Sequence, residues 1–308
     1  MKPTIWLKRL LNRLMVRTVS CYARWAGRQG PQRILHEGER LGRLHYALTP
    51  VKRRTLGRQI ARLLDIEPAS KQITDILRSS YRISDRAILE VVALHAGALT
   101  TSQTADSASI AGVEPLAATL ASGQGAVLLG MHMGNVYALL CALDKLGLPI
   151  SVVAYQSNKL PQGFFEDLVA GTGIETIQAR PERAAFYGLG KALRQGRATF
   201  IPVDQIHKSG GIETDFLGKR VTMPGGPVAL ARKFGVPIFP ICLDAAEPLW
   251  QFRVCDPIHL APEVSLEQGV AEVSTVIDGF IRSRPELWSW HHRRWHRYPF
   301  TEDKLPSP

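Results

Sequence analysis

The sequence predicts an α/β fold, in which a central, mostly parallel sheet is flanked by helices and preceded by a helical N-terminal arm. Up to about residue 120, apolar residues recur at helical spacing, most clearly in VKRRTLGRQIARLL and ITDILRSSYRISDRAILEVVALHAG. Beyond that point, β-rich runs alternate with helical or Gly/Pro-punctuated stretches: GAVLLGMH, ISVVAY, IETIQ, ATFIPVDQ and PIFPICL, followed by WQFRVCDPIHL. This alternation indicates a sheet with helices on its faces.

The chain of 308 residues divides into an N-terminal helix, residues 1–27, and one larger domain, residues 28–308. Within that domain we expect a helical part over 28–120 and an α/β core over 121–308. The 45% hydrophobic residues suffice to fill one large core, and we find no internal repeat or long linker that would divide it.

The first 27 residues predict a basic amphipathic helix that lies in a membrane interface. The apolar face holds Trp6, Leu7, Leu10, Leu11, Leu14 and Val19, and the remainder holds Lys8, Arg9, Arg13, Arg17 and Arg24. The segment lacks the roughly 18 continuous apolar residues of a spanning helix, so we expect reversible docking on an anionic surface. The alternative is an amphipathic helix packed on its own domain.

The net charge of +11 favours polyanionic partners, which include nucleic acid, anionic lipid headgroups and acidic carrier proteins. Only this charge and the basic aromatic segment near the C-terminus favour nucleic acid, and we expect no such partner. The cysteines are widely scattered and show no metal-binding spacing: Cys21, Cys141, Cys242 and Cys255. They predict a reducing compartment, and neither a disulfide framework nor a zinc site.

The strongest local motif is GMHMGNVYALL, in which a buried-type strand ends at His132 and continues through Gly134 into an apolar helix. Catalytic groups gather at such strand ends. A neutral imidazole there can take a proton from an attacking hydroxyl or amine, as direct acyl transfer from a thioester requires. Gly134 would let the backbone approach a substrate, and Asn135 would cap the helix or donate to an oxyanion. A purely structural histidine is the alternative.

A second motif begins where Asp204 and Gln205 end a strand beside a basic, glycine-rich loop. Polar residues in this position are placed to meet a substrate. Further on, Gly225 and Gly226 precede an apolar helix whose N-terminal amides could hold an anion. The alternative is a glycine-rich turn without a ligand.

Several basic residues could pair with phosphates of an acceptor or of a carrier's phosphopantetheine arm: Lys219, Arg220, Arg293 and Arg294. Alternatively, they are solvated surface charges. Near them, Trp288, Trp290 and Trp295 could anchor at an interface or pack in a C-terminal helix. His292 and His296 have helical spacing but no cysteine or carboxylate partner nearby, so we expect no metal site.

In their residues and their order along the chain, these segments resemble the bacterial lipid A biosynthesis acyltransferases of the glycerolipid acyltransferase superfamily. The resemblance spans roughly residues 40–300 and rests on HMGN, DQ, FLGKRVTMPGGPVALARKFGVPIFP and RPELWSWHHRRW. It implies a helical arm before an α/β core, a histidine general base, and a thioester donor on acyl carrier protein, or otherwise on CoA. It also implies a peripheral location on the cytoplasmic face of the bacterial inner membrane, and no metal or redox cofactor.

One position departs from the family motif, which places a carboxylate five residues after the histidine. Here that position is Tyr137, whose phenol is neutral at pH 7 and gives little support to an imidazolium. The best substitute is Asp204, because it closes a neighbouring strand and would lie on the same sheet edge as His132. Tyr137 would then help to shape the acceptor pocket. A loop-stabilising role for Asp204 is the alternative.

The sequence thus predicts an acyltransferase that moves a fatty acyl chain from a carrier or CoA thioester to a hydroxyl or amine, with a lipid A-like acceptor favoured. Direct transfer fits better than a covalent acyl-enzyme, because we find no GxSxG motif or Cys/His pairing. The motifs do not identify the acceptor. Two alternatives stay open: an acyltransferase diverted to a specialised metabolite or carrier-bound chain, and a catalytically weak relative that binds lipid or carrier protein.

Overall fold

The structure is a computed structural model of the chain. It describes residues 3–154, 160–204 and 211–291, with side chains from residue 14 onward.

The N-terminal part of the chain is helical, as the apolar spacing predicts. Its helices are α1 (Pro3–Gly27), α2 (Pro31–Leu48), α3 (Pro50–Leu64), α4 (Lys71–His95) and α5 (Thr101–Asp106). Proline begins α2 and α3, where its missing N–H costs no hydrogen bond. Ser70 caps α4 by accepting a hydrogen bond from the backbone N–H of Ile73.

A seven-stranded sheet forms the core. Its strands are β1 (Ala108–Ala111), β2 (Ala126–Gly130), β3 (Ile150–Ala154), β4 (Glu175–Gln178), β5 (Ala198–Pro202), β8 (Ile238–Ala245) and β9 (Trp250–Val254). Their order across the sheet is β1-β9-β8-β2-β5-β3-β4. All neighbouring pairs are parallel except β8 with β9. The remaining helices are α6 (Glu114–Ala121), α7 (Val136–Lys145), α8 (Phe164–Asp167), α9 (Glu182–Arg194), α10 (Gly226–Phe234) and α11 (Leu266–Ser283).

The fold prediction is confirmed, because the six β-rich runs of the sequence all contain strands of this mostly parallel sheet. Two local predictions were wrong. The short strand β1 falls inside the part predicted to be helical and pairs with β9. The glycine-rich loop contains an antiparallel hairpin of β6 (Ile212–Phe216) and β7 (Lys219–Met223). Both segments are short and lack the apolar runs that revealed most strands of the sheet.

Helix α1 is docked on the domain at its C-terminal end. Ala23 and Ala26 are buried in an apolar cluster with residues of α2 and α4, including Ile34 and Leu89. Toward the N-terminus, Leu14 is exposed. Among the described residues, no helix has the length and apolar character needed to cross a membrane.

Candidate active site

The register between β2 and β5 determines where the two principal candidate residues lie. In this parallel pair Gly130 is opposite Pro202, and the backbone N–H of Val203 donates to the carbonyl of Gly130 over 3.1 Å. His132 and Asp204 each follow two residues after the last registered pair. Both side chains therefore emerge side by side at the carboxyl edge of the sheet, where α/β proteins place their ligands.

The imidazole of His132 contacts the carboxylate of Asp204 directly. Nδ1 of His132 lies 2.6 Å from Oδ1 of Asp204, and the backbone N–H of His132 donates to Oδ2 over 3.0 Å. The Asp204 side chain is fully buried, whereas 28% of the His132 side chain is exposed. With Nδ1–H donating to the carboxylate, the acceptor nitrogen of the neutral ring is Nε2. This arrangement suits a general base whose orientation is fixed by a buried acid.

A tryptophan from the C-terminal part of the chain completes the surroundings of Asp204. The Nε1–H of Trp288 donates to Oδ2 of Asp204 over 2.7 Å, and the indole is buried. The backbone holds this segment in place, because Ser289 N–H donates to the carbonyl of His132 and the hydroxyl of Ser80 donates to the carbonyl of Trp288. The hydrogen bonds that the Asp204 carboxylate accepts from Trp288 and His132 compensate its burial. From the sequence we expected Trp288 to be an interfacial anchor or a packing residue, and this contact was not predicted.

Both polar atoms of the Asn135 side chain form hydrogen bonds within the protein. Its Oδ1 caps α7 by accepting hydrogen bonds from the backbone N–H groups of Tyr137 and Ala138, and its Nδ2 donates to Glu90 over 2.9 Å. Of the two roles expected for Asn135, the structure thus shows helix capping. Backbone amides are the remaining candidates for an oxyanion site.

Glu90, on α4, is the centre of a buried network that joins the helical arm to the sheet. It accepts hydrogen bonds from Asn135, from Trp250 Nε1 over 2.7 Å and from Arg86 Nε over 2.8 Å. Arg86 also donates to the carbonyl of Ala246. The network fixes the start of α7, which directly follows the His132 motif. Sequence patterns did not reveal it, because its members are far apart in the chain.

The backbone at Gly134 explains why glycine stands there. Its φ of +61° lies in the left-handed region, and a Cβ atom would come within 2.8 Å of the side chains of Leu243 and Trp250. The close approach of this glycine is therefore to its own protein's side chains. Approach to a substrate, which we expected, stays a prediction.

Tyr137 packs as an apolar residue. Its ring stacks on Phe165 with centroids 6.4 Å apart, and no described residue hydrogen-bonds to its hydroxyl. Burial, together with the nearby Glu166, raises the pKa of the phenol above its usual value, so Tyr137 stays neutral. The position of the family carboxylate is thus occupied by a group that carries no charge.

The other predicted site residues lie on the hairpin and at the start of α10. Lys219 and Arg220 belong to β7, and Arg220 Nη1 lies 3.6 Å from the exposed carboxylate of Asp215. Gly225 and Gly226 form the N-terminus of α10. Three further residues lie outside the described parts of the chain: Gln205, Arg293 and Arg294. Within the described ranges, we find no cluster of three side chains that could hold a metal ion.

Fold and site together define an α/β protein with a histidine and a buried aspartate paired at a sheet edge. The sequence model of the bacterial lipid A biosynthesis acyltransferases matches residues 17–297, and the chain belongs to this family. The prediction of an acyltransferase is thereby confirmed at the level of the family.

Two relatives are phosphatidylinositol mannoside acyltransferases. The protein of Mycolicibacterium smegmatis is 26% identical over 250 residues, which cover 78% of each chain. That of Mycobacterium tuberculosis H37Rv is 28% identical over 191 residues, which cover 60% of this chain and only 59% of the mycobacterial protein. The family and these relatives support a lipid acyltransferase.

Proposed function

We propose that the protein transfers a fatty acyl chain from a thioester, on acyl carrier protein or CoA, to a hydroxyl or amine of a lipid acceptor. The observation that carries this proposal is the contact between His132 and Asp204 at the sheet edge. The names of the mycobacterial relatives favour a glycolipid acceptor, and the family name favours one that is similar to lipid A.

In the proposed reaction, Nε2 of His132 takes the proton from the acceptor as the acceptor oxygen or nitrogen attacks the thioester carbonyl. The imidazolium that forms is stabilised by the carboxylate of Asp204 through Nδ1–H. Collapse of the tetrahedral intermediate breaks the carbon–sulfur bond, and the departing thiolate takes the proton from Nε2. Backbone amides near Gly134 would donate to the oxyanion, since the Asn135 amide is already bonded to Glu90.

In this scheme, Asp204 replaces the family carboxylate that orients the imidazole and stabilises its cationic form. Its burial matters, because a charge in a site with little water interacts more strongly with the imidazolium than an exposed charge does. Its hydrogen bonds from Trp288 and from the His132 backbone hold the carboxylate in one orientation. A loop-stabilising residue would not need to face the imidazole.

The protein would act at a membrane surface, on the cytoplasmic face of the inner membrane. The support comes from α1, which exposes Leu14, Met15 and Trp25 although its C-terminal end is docked on α4. Apolar side chains on a basic helix favour reversible binding at an anionic interface.

The test compares lipids and metabolites, by mass spectrometry, from cells that lack the protein and from cells complemented with wild type, His132→Ala or His259→Ala. His259 is exposed and serves as the matched control. We expect an acylated lipid to disappear without the protein and to return with wild type and His259→Ala only. Loss of a small acylated metabolite instead would favour the diverted acyltransferase. Full rescue by His132→Ala would contradict the proposed base and favour a binding relative.

A further inference from the structure

The helical arm contains an open cavity of about 340 Å³ that lies apart from the His132 site. It opens between the C-terminal end of α2, one face of α3 and the first turns of α4. Its lining residues are Tyr46, Arg53, Arg54, Gly57, Arg58, Pro68, Ile73, Thr74 and Leu77. We call it the arginine cavity. Its volume is within the range of small-ligand sites.

The cavity concentrates positive charge. The guanidinium of Arg53 is fixed, because Nη1 donates to the carbonyl of Tyr46 over 2.8 Å and the group lies 4.4 Å from the centre of the Tyr46 ring. Arg78 lies 5.8 Å from the same ring, and Arg54 and Arg58 line the wall. Among the residues that the structure describes, none of these arginines forms an ion pair with a carboxylate.

The like charges of these arginines repel one another. An anion that enters the cavity would relieve this repulsion. Guanidinium groups favour phosphate in particular, since their planar N–H groups match its oxygens. The cavity is therefore suited to a phosphate monoester or diester.

Exposed apolar side chains lie next to these cations. Leu48 ends α2 and is 70% exposed, and Val51, at the start of α3, is 74% exposed. Val51, Arg54 and Arg58 are spaced i, i+3 and i+7, so they share one face of α3. A free phosphate ion gains nothing from an apolar rim, whereas a lipid in a bilayer presents its phosphate beside acyl chains.

We propose that the arginine cavity binds the phosphate of an anionic membrane lipid while Leu48 and Val51 enter the interface, as a second membrane contact besides α1. This inference rests on the proposed action at a membrane surface. In this proposal, the junction between α2 and α3 helps to determine the orientation of the protein on the bilayer.

The position of the cavity links this contact to the active site. Tyr46 packs edge-on against Tyr81 of α4, with ring centres 5.5 Å apart. The neighbouring Ser80 donates to the carbonyl of Trp288, whose indole holds Asp204. A lipid phosphate bound on this face of α4 would thus orient the sheet edge relative to the bilayer.

The test measures partition of the full chain, by flotation, between buffer and vesicles of phosphatidylglycerol and phosphatidylcholine or of phosphatidylcholine alone. Arg54→Gln/Arg58→Gln should weaken binding to the anionic vesicles by about tenfold or more, since each basic residue at such a surface contributes substantially. Arg183→Gln/Arg232→Gln removes the same charge from exposed positions on α9 and α10. It should weaken binding by less than about threefold. Equal losses in the two double variants would overturn the proposal.

Leu48→Ser/Val51→Ser distinguishes lipid phosphate from free phosphate. We expect this variant to lose vesicle binding as the arginine variant does, and millimolar inorganic phosphate to compete only weakly. Full vesicle binding by this variant, with inorganic phosphate bound in the cavity by calorimetry, would overturn the lipid assignment. The three double variants carry changes at exposed positions, and unchanged melting temperatures would exclude misfolding. His132→Ala should bind vesicles as wild type does, so this test is independent of acyl transfer.

Discussion

Asp204 and His132 are 72 positions apart in the chain, yet the aspartate Oδ1 lies 2.6 Å from the histidine Nδ1. Parallel pairing of β2 with β5 creates this contact, and it places a buried carboxylate beside the imidazole. The family's usual carboxylate would come from the first turn of α7. In this chain, the carboxylate that faces the imidazole follows the neighbouring strand β5.

Asp204→Asn should lower the turnover number by about 10²–10⁴-fold with little change in KM, because the amide neither selects the Nδ1–H tautomer nor stabilises the imidazolium. Steady-state kinetics with a saturating thioester donor measure this. The matched control is Asp256→Asn, at an exposed position. If Asp204→Asn stays within a few fold of wild type, Asp204 has only a structural role.

Trp288→Phe should lower both stability and activity. The change keeps an aromatic ring but removes the N–H that holds Asp204, so we expect a loss of about 1–3 kcal/mol in the free energy of unfolding. Trp290→Phe is the control, because its N–H donates to the carbonyl of Pro285 and not to the site. Urea denaturation and kinetics should show a larger loss of turnover for Trp288→Phe. Equal turnover in the two variants would show that the hydrogen bond from Trp288 to Asp204 does not contribute to catalysis.

Tyr137→Glu should not increase turnover, although it restores the family's carboxylate. In the proposed mechanism Asp204 already supports the base, and the new charge would be buried near Glu166, so we expect a lower melting temperature. Tyr137→Phe should be nearly silent, since no described residue bonds to the hydroxyl. A several-fold gain in transfer rate from Tyr137→Glu, together with a silent Asp204→Asn, would contradict this account.

Deletion of residues 1–17 should weaken binding to anionic vesicles and leave the fold intact. The buried part of α1, which includes Ala23 and Ala26, remains in this variant. Wild-type binding should also fall as salt rises. The measurement is vesicle flotation at several salt concentrations, with the melting temperature as the control for folding. Flotation that is insensitive to both truncation and salt would contradict an electrostatic anchor.

Most strands of the sheet and the His132 motif could be predicted from the sequence because buried strands and glycine-rich turns leave local patterns. The proximity of Asp204 to His132 followed from one general rule, that parallel strands end at a common sheet edge. Trp288 and Glu90 could not be placed in this way. Their partners are remote in the chain, and a single buried tryptophan or glutamate has no periodicity that reveals what it contacts.

In the proposed mechanism His132 and Asp204 act as one unit, and a double-mutant cycle measures the coupling between them. Single-turnover acyl transfer would be measured for wild type, His132→Ala, Asp204→Asn and the double variant, with melting temperatures for each. We expect His132→Ala to lose about 10²–10⁴-fold, and the double variant to be no more than about threefold slower than His132→Ala. Two results would contradict this mechanism. The first is a fold-loss in the double variant that equals the product of the fold-losses of the two single variants. The second is near wild-type transfer by His132→Ala at an unchanged melting temperature.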